Sequence, residues 1–206
     1  IRLGSLEPRT VTEEFCRALA GYPNLCPQFH LSLQSGSDTV LRRMHRKYDT
    51  ARYAESVRLL HEYFPGCAVT TDLIVGFPGE TEQEFAESLD FVARCGISMF
   101  HIFPYSRRSG TPAAKMPDQL PRSVKEVRAA RAAQVAASLE EGYHEAMRGS
   151  VQQVLFEQLE DGLWAGHAMN YVKVYLQSAE GLNNRVLPVR VTELCRDGVL
   201  GELASE

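Results

Sequence analysis

The chain has no closely spaced cysteines. No two of them stand at CxxC or CxxxCxxC spacing, and their number is odd. Zinc sites and iron–sulfur clusters are held by cysteines grouped in short loops, so the sequence predicts neither a zinc site nor a complete cluster-binding loop. We expect free, buried thiols instead. The five residues are Cys16, Cys26, Cys67, Cys95 and Cys195.

Long apolar runs and a strong net charge are also absent. No stretch approaches the length of a membrane span and no signal-peptide pattern opens the chain, so we expect no membrane partner and a cytoplasmic location. The net charge of −4 gives no overall attraction for nucleic acid, and any such binding must come from local patches. No methionine precedes Ile1, and IRLGS resembles the interior of a strand, so we expect a fragment.

The segment TTDLIVGFPGET, residues 70–81, combines a strand with a glycine-bounded turn. Leu73, Ile74 and Val75 form the apolar run typical of a strand covered on both faces. Gly76 and Gly79 then allow the backbone to turn sharply and to approach a ligand. Because ligands bind at the carboxyl ends of parallel strands, this turn is a candidate binding element. A plain strand-to-helix loop is the simpler alternative.

Strand-like and helical segments alternate up to about residue 118. Such alternation predicts a parallel sheet with helices outside it, and right-handed crossovers bring the carboxyl ends of all strands to one face. The polar, glycine-containing strand ends therefore converge. The predicted strands are residues 1–6, 28–34, 68–75 and 97–103, and the predicted helices begin near Thr10 or Thr12, Ser37 or Asp38, Thr50 and Thr81, the last with a capping box.

The remainder of the chain has a different pattern. Residues 123–146 form a predicted alanine-rich helix with cations at three- and four-residue spacing, which indicates a solvated face or an RNA-contacting stripe. Five short strand-like segments follow within 60 residues and predict a small β-barrel. The cations of the helix are Arg122, Lys125, Arg128 and Arg131.

The order SLEP, FHLSLQSGSD, TTDLIVGFPGET, FPYSRRSGT and then a small β-domain resembles the radical S-adenosylmethionine methylthiotransferases. The resemblance implies an α/β fold in which residues 1–118 are the last four strands of a partial (β/α)6 barrel. Residues 119–147 are then a linker helix and residues 148–206 a TRAM domain, an OB-like RNA-binding barrel. SLEP and MPDQ favour the tRNA branch that acts on N6-threonylcarbamoyladenosine. The isopentenyladenosine and ribosomal-protein branches, and a non-catalytic RNA-binding module, remain alternatives.

By the same resemblance, the intact enzyme adds a methylthio group at C2 of the nucleoside at position 37 of tRNA. It uses S-adenosylmethionine, two 4Fe-4S clusters, a reductant and a sulfur donor. The cluster ligands lie outside this chain, so we expect the chain alone to be inactive. Four strands of such a barrel leave an edge and part of the inner face exposed, which predicts self-association.

The resemblance also implies cofactor-binding residues at the strand ends. Polar groups are expected to bind the ribose, the amino-acid portion and the cationic centre, and the glycine and aromatic positions are expected to lie along the adenine. Glu7 as a helix cap and Asp72 as a structural hydrogen-bonding residue are the alternatives. The set is Ser5, Glu7, Gln34, Ser35, Ser37, Asp72, Ile74, Gly76, Gly79, Phe103 and Tyr105.

Substrate contacts are expected from two places. Arg107 or Arg108 can pair with a carboxylate of the cofactor or of the threonyl group, or be solvated loop charges. The barrel offers Trp164, Asn170, Tyr171 and Lys173 for stacking and polar contacts, with Trp164 as a core residue in the simpler interpretation. From Arg148 onward five Lys or Arg stand against eight Asp or Glu, an unusual balance for an RNA-binding barrel. A basic cluster around His45 is either a phosphate contact or a helix-end charge cluster. The other histidines, His30 and His101 included, are expected to be core or rim residues.

Overall fold

The computed structural model describes residues 1–204, which form two compact units. Residues 1–25 and 29–139 belong to the first unit, and the second contains residues 26–28 and the chain from Glu140 onward. The helices are α1 Glu13–Ala20, α2 Asp38–Arg43, α3 Thr50–Tyr63, α4 Glu82–Arg94 and α5 Arg122–Ala146; the strands are β1 Gln28–His30, β2 Ala68–Val75, β3 Met99–Pro104, β4 Val151–Glu160, β5 Leu163–Ala168, β6 Lys173–Leu176, β7 Val186–Cys195 and β8 Gly198–Leu203. Within the described residues no helix is long and apolar enough to cross a membrane.

Side-chain caps explain where three of the helices begin. Thr12 accepts a hydrogen bond from the third residue of α1, and Asp49 does the same for α3. Thr81 and Glu84 form the predicted capping box at the start of α4, in which each side chain bonds the other's backbone N–H. These side chains satisfy amide groups that the first turn of a helix leaves without partners. The predicted helix starts at Thr12 and Thr50 and the predicted capping box are therefore confirmed.

The first unit is built on a three-stranded sheet in the order β1-β2-β3. Strand β2 pairs with β3 in parallel, from Thr70 opposite Met99 to Val75 opposite Pro104. The prediction for β2 is confirmed to the residue, whereas β3 begins and ends slightly later than expected. The prediction of a strand over residues 28–34 is corrected: β1 ends at His30, and an isolated parallel bridge between Gln34 and Leu73 continues the sheet beyond it. The strands of this unit consequently end at a common edge.

The prediction of a first strand over residues 1–6 is wrong. Leu6 forms one isolated parallel bridge with Leu31, and no strand is assigned to residues 1–5. The backbone of Leu6 donates to His30 and accepts from Ser32, and these two bonds are the whole ladder. Four of the five preceding residues are exposed, and only the partly buried side chains of Leu3 and Leu6 pack the segment against the core. The described residues of this unit therefore form three strands and two isolated bridges instead of four strands.

The core of the first unit lies between the sheet and its helices. Leu73 and Val75 of β2 are buried on the face that also covers Phe29 and Phe85. Each square ångström of apolar surface that these side chains remove from water stabilises the unit by about 25 cal/mol. The opposite face of β2 carries Thr70, Asp72 and Ile74, because successive side chains of a strand point to opposite sides.

The second unit contains a closed five-stranded barrel in the order β4-β5-β6-β8-β7. The five strands predicted from the alternating segments are present. The barrel core includes Val154, Phe156 and Val174, all fully buried, and Trp164 packs against it as a partly buried side chain. Gly166 permits close packing in this barrel, since a Cβ there would lie 2.2 Å from the carbonyl oxygen of Leu155. The last two residues of the predicted domain, Ser205 and Glu206, lie outside the described residues.

The cation stripe on α5 is not a uniformly solvated face. The Arg128 side chain is only 5% exposed and pairs with Glu80, and the Lys125 ammonium donates to the Tyr105 carbonyl. Arg122 is exposed and pairs with Glu126 on its own helix. The interpretation as a solvated face is therefore wrong for Arg128. The five cysteines are free, but the prediction that they are buried holds only for Cys16 and Cys67.

Candidate functional site

A polar face of the sheet carries the candidate site. Asp72 and Ile74 of β2 lie opposite His101 and Phe103 of β3 in the parallel register. Cross-strand partners share a face, so these four side chains lie on the side away from the buried Leu73. The Phe103 side chain is 50% exposed. The face therefore combines a carboxylate, imidazole and an accessible aromatic ring at the carboxyl end of the sheet.

These strand ends border a cavity of about 440 Å³. That volume lies within the range of small-molecule sites. Its lining mixes apolar and aromatic surface with one carboxylate, one amide and one guanidinium, a donor and acceptor set typical of a site for a polar organic molecule. The lining residues are Gln34, Asp72, Ile74, Phe103, Pro104, Tyr105, Ser106, Arg108, Thr111 and Ala113.

Gln34 reaches this cavity from an unusual backbone conformation. Its φ is +71°, in the left-handed region that non-glycine residues rarely adopt. Its N–H donates to the Asp72 carbonyl and its carbonyl accepts from the Ile74 N–H, at 2.9 Å each. These two bonds to β2 hold the strained residue in place. Strain of this kind costs roughly 1–3 kcal/mol and concentrates at functional positions.

Tyr105 contributes a buried hydroxyl that makes no hydrogen bond within residues 1–204. Its ring packs edge-on against Phe77, with ring centroids 5.4 Å apart, and the Lys125 ammonium lies 5.8 Å from its centroid. An unpaired buried hydroxyl normally costs free energy unless some partner satisfies it. Because the residue lines the cavity, a polar group of a bound molecule is a suitable partner.

Asp72 has a neighbouring histidine that sequence reasoning did not connect with it. His30 Nε2 lies 3.4 Å from Asp72 Oδ2, and His30 Nδ1 lies 3.2 Å from the Thr70 hydroxyl. The Asp72 side chain remains 27% exposed. His30, which the Thr70 hydroxyl contacts on its other nitrogen, thus faces the carboxylate from one side while Asp72 lines the cavity. His30 is held by these contacts at the rim of the site, in line with the expected role as a rim residue.

The glycine-bounded turn after β2 is filled by the protein's own side chains. Gly76 has φ +74°, and a Cβ on it would lie 2.3 Å from Lys125 Cγ. Its N–H donates to Glu80 Oε2 at 2.7 Å. Burial raises the pKa of Glu80, an effect that the Gly76 amide and Arg128 oppose. The two glycines suggested a close approach of the backbone to a ligand. At Gly76 the close neighbour is instead Lys125 of α5.

Several predicted cofactor residues lie outside the cavity lining. Ser5 and Glu7 are exposed, and the Glu7 side chain makes no capping hydrogen bond. The hydroxyl of Ser35 lies 3.1 Å from the Ser88 hydroxyl, and that of Ser37 donates to Glu87 at 2.9 Å. Ser35 and Ser37 are buried, so their hydroxyls secure α4. Gly79 also lies outside the lining; its N–H donates to the Asp118 carbonyl.

The two candidate arginines occupy different environments. Arg108 lines the cavity. Arg107 does not, and its Nε–H donates to the Ala114 carbonyl at 2.7 Å. The loop that returns toward the site also brings Thr111 and Ala113 into the lining. Sequence reasoning missed these two residues, although the SGT motif directly after Arg108 was a signal that the loop belongs to the site.

The predicted barrel residues are not grouped around one cavity. Asn170 is buried and bonds the Tyr143 hydroxyl, which gives it a structural role in the second unit. Tyr171 is 56% exposed and stacks on His167, with centroids 4.9 Å apart. Lys173 pairs with Glu160 at 2.7 Å, and the hydrogen bond that its ammonium donates to this carboxylate raises the pKa of the lysine. Trp164 is partly buried and packs against the core of the barrel.

The fold and the matches together identify the family. Residues 4–92 match the model of the radical SAM superfamily. Coproporphyrinogen III oxidase (HemN) of Escherichia coli, described as a radical SAM enzyme, has a similar structure with a TM-score of 0.54, 19% identity and coverage of 66% of this chain and 32% of that one. Elp3 of Methanocaldococcus infernus matches with a TM-score of 0.52 and 14% identity over 91% of this chain and 55% of that one. The class is therefore a radical SAM-like α/β fold.

Sequence relatives define the class further. The threonylcarbamoyladenosine tRNA methylthiotransferase MtaB of Bacillus subtilis is 37% identical over 93% of this chain and 44% of its own length. The tRNA-2-methylthio-N(6)-dimethylallyladenosine synthase of Acidothermus cellulolyticus is 39% identical over 94% of this chain and 37% of its own length. The chain belongs to the radical SAM methylthiotransferase family, and it spans less than half the length of these relatives.

The cavity residues fit part of an S-adenosylmethionine molecule. Asp72 can face the sulfonium or ammonium charge, and Gln34 can bond hydroxyls or amino-acid groups. Phe103 and Ile74 offer an apolar surface to the adenine, and the unpaired Tyr105 hydroxyl can meet a polar edge. Among residues 1–204 no three His, Cys, Asp or Glu side chains are placed to hold a metal ion.

Proposed function

We propose that this chain is part of a tRNA methylthiotransferase that adds a methylthio group at C2 of N6-threonylcarbamoyladenosine at position 37. The observation that carries the proposal is the cavity at the carboxyl ends of β2 and β3, where Asp72, Gln34 and Arg108 meet an aromatic surface. Similarity over more than nine-tenths of the chain supports it, to relatives named as a threonylcarbamoyladenosine tRNA methylthiotransferase and a tRNA-2-methylthio-N(6)-dimethylallyladenosine synthase.

In this proposal, the three strands and the bridge at Leu6 belong to a larger (β/α)6 barrel and the second unit is a TRAM domain. The cavity binds S-adenosylmethionine, which supplies the radical and the methyl group when a reduced 4Fe-4S cluster is present. The chain's own part is to bind and orient: Asp72 offsets positive charge, Gln34 accepts and donates hydrogen bonds, and Phe103 covers the adenine. The cluster ligands, a second cluster, the reductant and the sulfur donor lie outside these residues.

Arg108 is the residue that favours the threonylcarbamoyl substrate. A guanidinium can bind a carboxylate through two parallel hydrogen bonds, and threonylcarbamoyladenosine carries a carboxylate that isopentenyladenosine lacks. Arg108 lines the cavity and Arg107 is bonded to the Ala114 carbonyl, so Arg108 is the available partner. The names of the two relatives refer to different nucleosides, threonylcarbamoyladenosine and dimethylallyladenosine, so the nucleoside has to be tested directly.

The test is a nucleoside analysis of tRNA by mass spectrometry in a strain that lacks the gene. We expect the methylthio form of threonylcarbamoyladenosine to disappear, the unmodified precursor to accumulate and methylthio-isopentenyladenosine to persist. Loss of the isopentenyl product instead would replace the substrate assignment with the other tRNA branch. Unchanged levels of both products would overturn the proposed function. Restoring the gene on a plasmid is the matched control.

A further inference from the structure

A second cavity in the first unit is lined mainly by cations. Its volume is about 760 Å³, and it lies where the chain after Leu6 meets the start of α3 and the loop after α2. Five of its nine lining residues are arginine or lysine and two are aspartate. The lining is Arg9, Thr12, Asp38, Arg42, Arg46, Lys47, Tyr48, Asp49 and Arg52, which we call the basic pocket.

The two carboxylates of the basic pocket are already engaged. Asp49 Oδ1 accepts from the Arg52 N–H at 2.8 Å, and Asp38 Oδ1 accepts from the Thr50 N–H at 2.8 Å. Both hydrogen bonds join backbone amides at the start of α3, where the helix dipole favours negative charge. The aspartates therefore serve the helix end and leave much of the positive charge of the pocket uncompensated.

The five cations divide into two groups. Arg42 donates to the backbone carbonyl of Asp38 and to the Thr39 hydroxyl on its own helix, and Arg52 donates to the Val11 carbonyl. Arg9, Arg46 and Lys47, in contrast, make no side-chain hydrogen bond or ion pair within residues 1–204, and all three are exposed. Three unengaged cations around one open pocket are a site for an anion that presents several negative charges along its length. A helix-end charge cluster does not explain them, because none of the three lies in a helix longer than one turn.

The basic pocket adjoins the strand ends that border the first cavity. The Tyr48 hydroxyl, buried in the pocket, donates to the Leu33 carbonyl at 3.0 Å, and the next residue, Gln34, lines that cavity. Arg9 follows directly after the Glu7-Pro8 end of the bridged segment. An RNA whose target base enters the cavity must pass its phosphates over the neighbouring surface of the same face.

We infer that the basic pocket binds the phosphate backbone of the substrate RNA, with Arg9, Arg46 and Lys47 as the contacting side chains. This inference rests on the proposed function, since it takes RNA as the substrate. Phosphate contacts position an RNA without reading its bases. Each contact also steepens the fall of log affinity with log salt concentration, by a slope of about 0.7 to 0.9. The pocket thus fixes where the strand lies, and the cavity selects the nucleoside.

The experiment compares two triple variants of the intact protein by fluorescence anisotropy with a labelled 17-nucleotide anticodon stem-loop. The test variant carries Arg9→Gln, Arg46→Gln and Lys47→Gln. The control carries Arg17→Gln, Arg58→Gln and Arg94→Gln, which removes the same charge from exposed helix positions that pair with acids of their own helices. Titrations between roughly 50 and 300 mM salt give the slope of log affinity against log salt for each protein.

We expect the test variant to lower this slope by about 2 and to weaken binding at least about tenfold at 0.1 M salt, and the control to keep the wild-type slope. A wild-type slope in the test variant, or an equal loss in the control, would overturn the inference. Circular dichroism melting identifies any variant that has not folded, and single substitutions at Arg46 and Lys47 then replace the triple variant. If the test variant binds RNA as the wild type does, only the role of the basic pocket is contradicted. Unchanged nucleosides in the deletion strain contradict the proposed function itself.

Discussion

Glu80 and Arg128 form a buried ion pair that joins the turn after β2 to α5. Arg128 Nη1 lies 2.6 Å from Glu80 Oε2 and 2.9 Å from the Glu80 carbonyl oxygen. The side chains are 1% and 5% exposed, and the same carboxylate accepts from the Gly76 N–H. One carboxylate thus closes the turn and is fixed by a helix about 50 residues further along the chain. The conformation of the turn after β2 depends on this pair.

Arg128→Ala should destabilise the first unit strongly. Removing one partner of a buried ion pair leaves an uncompensated charge, which costs about 3–5 kcal/mol. Arg131→Ala is the matched control on the same helix, because Arg131 pairs with Glu82 at an exposed position and should cost less than about 1 kcal/mol. Urea denaturation followed by circular dichroism measures both. Equal losses for the two variants would contradict the assigned role of Arg128.

Gly76→Ala should destabilise the turn more than Gly66→Ala does. Both glycines have φ +74°, so each substitution carries a backbone penalty of about 1–2 kcal/mol. Only at Gly76 does the new Cβ meet a neighbour, Lys125 Cγ at 2.3 Å, and that crowding adds about 1–3 kcal/mol. Thermal unfolding of the two variants isolates the crowding, since nothing lies within 4 Å at Gly66. A similar melting temperature for both would show that Lys125 moves aside freely.

Periodicity and capping signals predicted most of the regular structure. The apolar run of β2 fixed its bounds, and Thr81 with Glu84 marked the start of α4 because a capping box is a local pattern. Residues 1–6 include apolar residues as well, yet only Leu6 forms a bridge. Strand pairing depends on the neighbouring strand and not on local composition alone. Local patterns therefore predicted the helices and β2, but they did not predict how residues 1–6 pair at the edge of the sheet.

The candidate site was predicted in part. Gln34, Asp72, Ile74, Phe103, Tyr105 and Arg108 were named from the motifs at and after the strand ends and from the family resemblance, and the structure brings them to one cavity. Ser35 and Ser37, which the resemblance placed at the cofactor, instead contact Ser88 and Glu87 of α4, two long-range partners that a local motif cannot reveal. The burial of Arg128 likewise depends on a contact with Glu80 across 48 positions, which helical spacing alone cannot reveal.

Glu84 makes stability depend on pH. Burial raises the pKa of this carboxyl, but the Thr81 N–H and the Arg43 guanidinium, 2.8 and 2.7 Å away, outweigh it and hold the pKa below the ordinary value. A depressed pKa contributes stability above the unfolded-state pKa of 4.5, and that contribution is lost as the pH falls through the folded-state pKa. We expect Glu84→Gln to flatten the decline in unfolding free energy between about pH 5 and 3.

The Arg43→Gln variant supplies the matching measurement for Glu84. It removes the ion pair and leaves the capping box with Thr81 in place. Urea titrations at each pH should show an intermediate dependence for Arg43→Gln and the weakest one for Glu84→Gln. If neither variant differs from the wild type across this window, the acid sensitivity of the unit has another origin.

Arg108→Lys should reduce selection for the carboxylate of the nucleoside in the intact enzyme. A bidentate guanidinium–carboxylate pair is worth about 1.5–3 kcal/mol, and lysine keeps the charge but not the paired geometry. Single-turnover assays on anticodon stem-loops that carry threonylcarbamoyladenosine or its methyl ester measure the preference for the free acid. We expect a preference of about 10- to 100-fold in the wild type and little in Arg108→Lys. Arg107→Lys should retain the preference, because the Arg107 guanidinium bonds the Ala114 carbonyl. An undiminished preference in Arg108→Lys would assign the carboxylate to another residue.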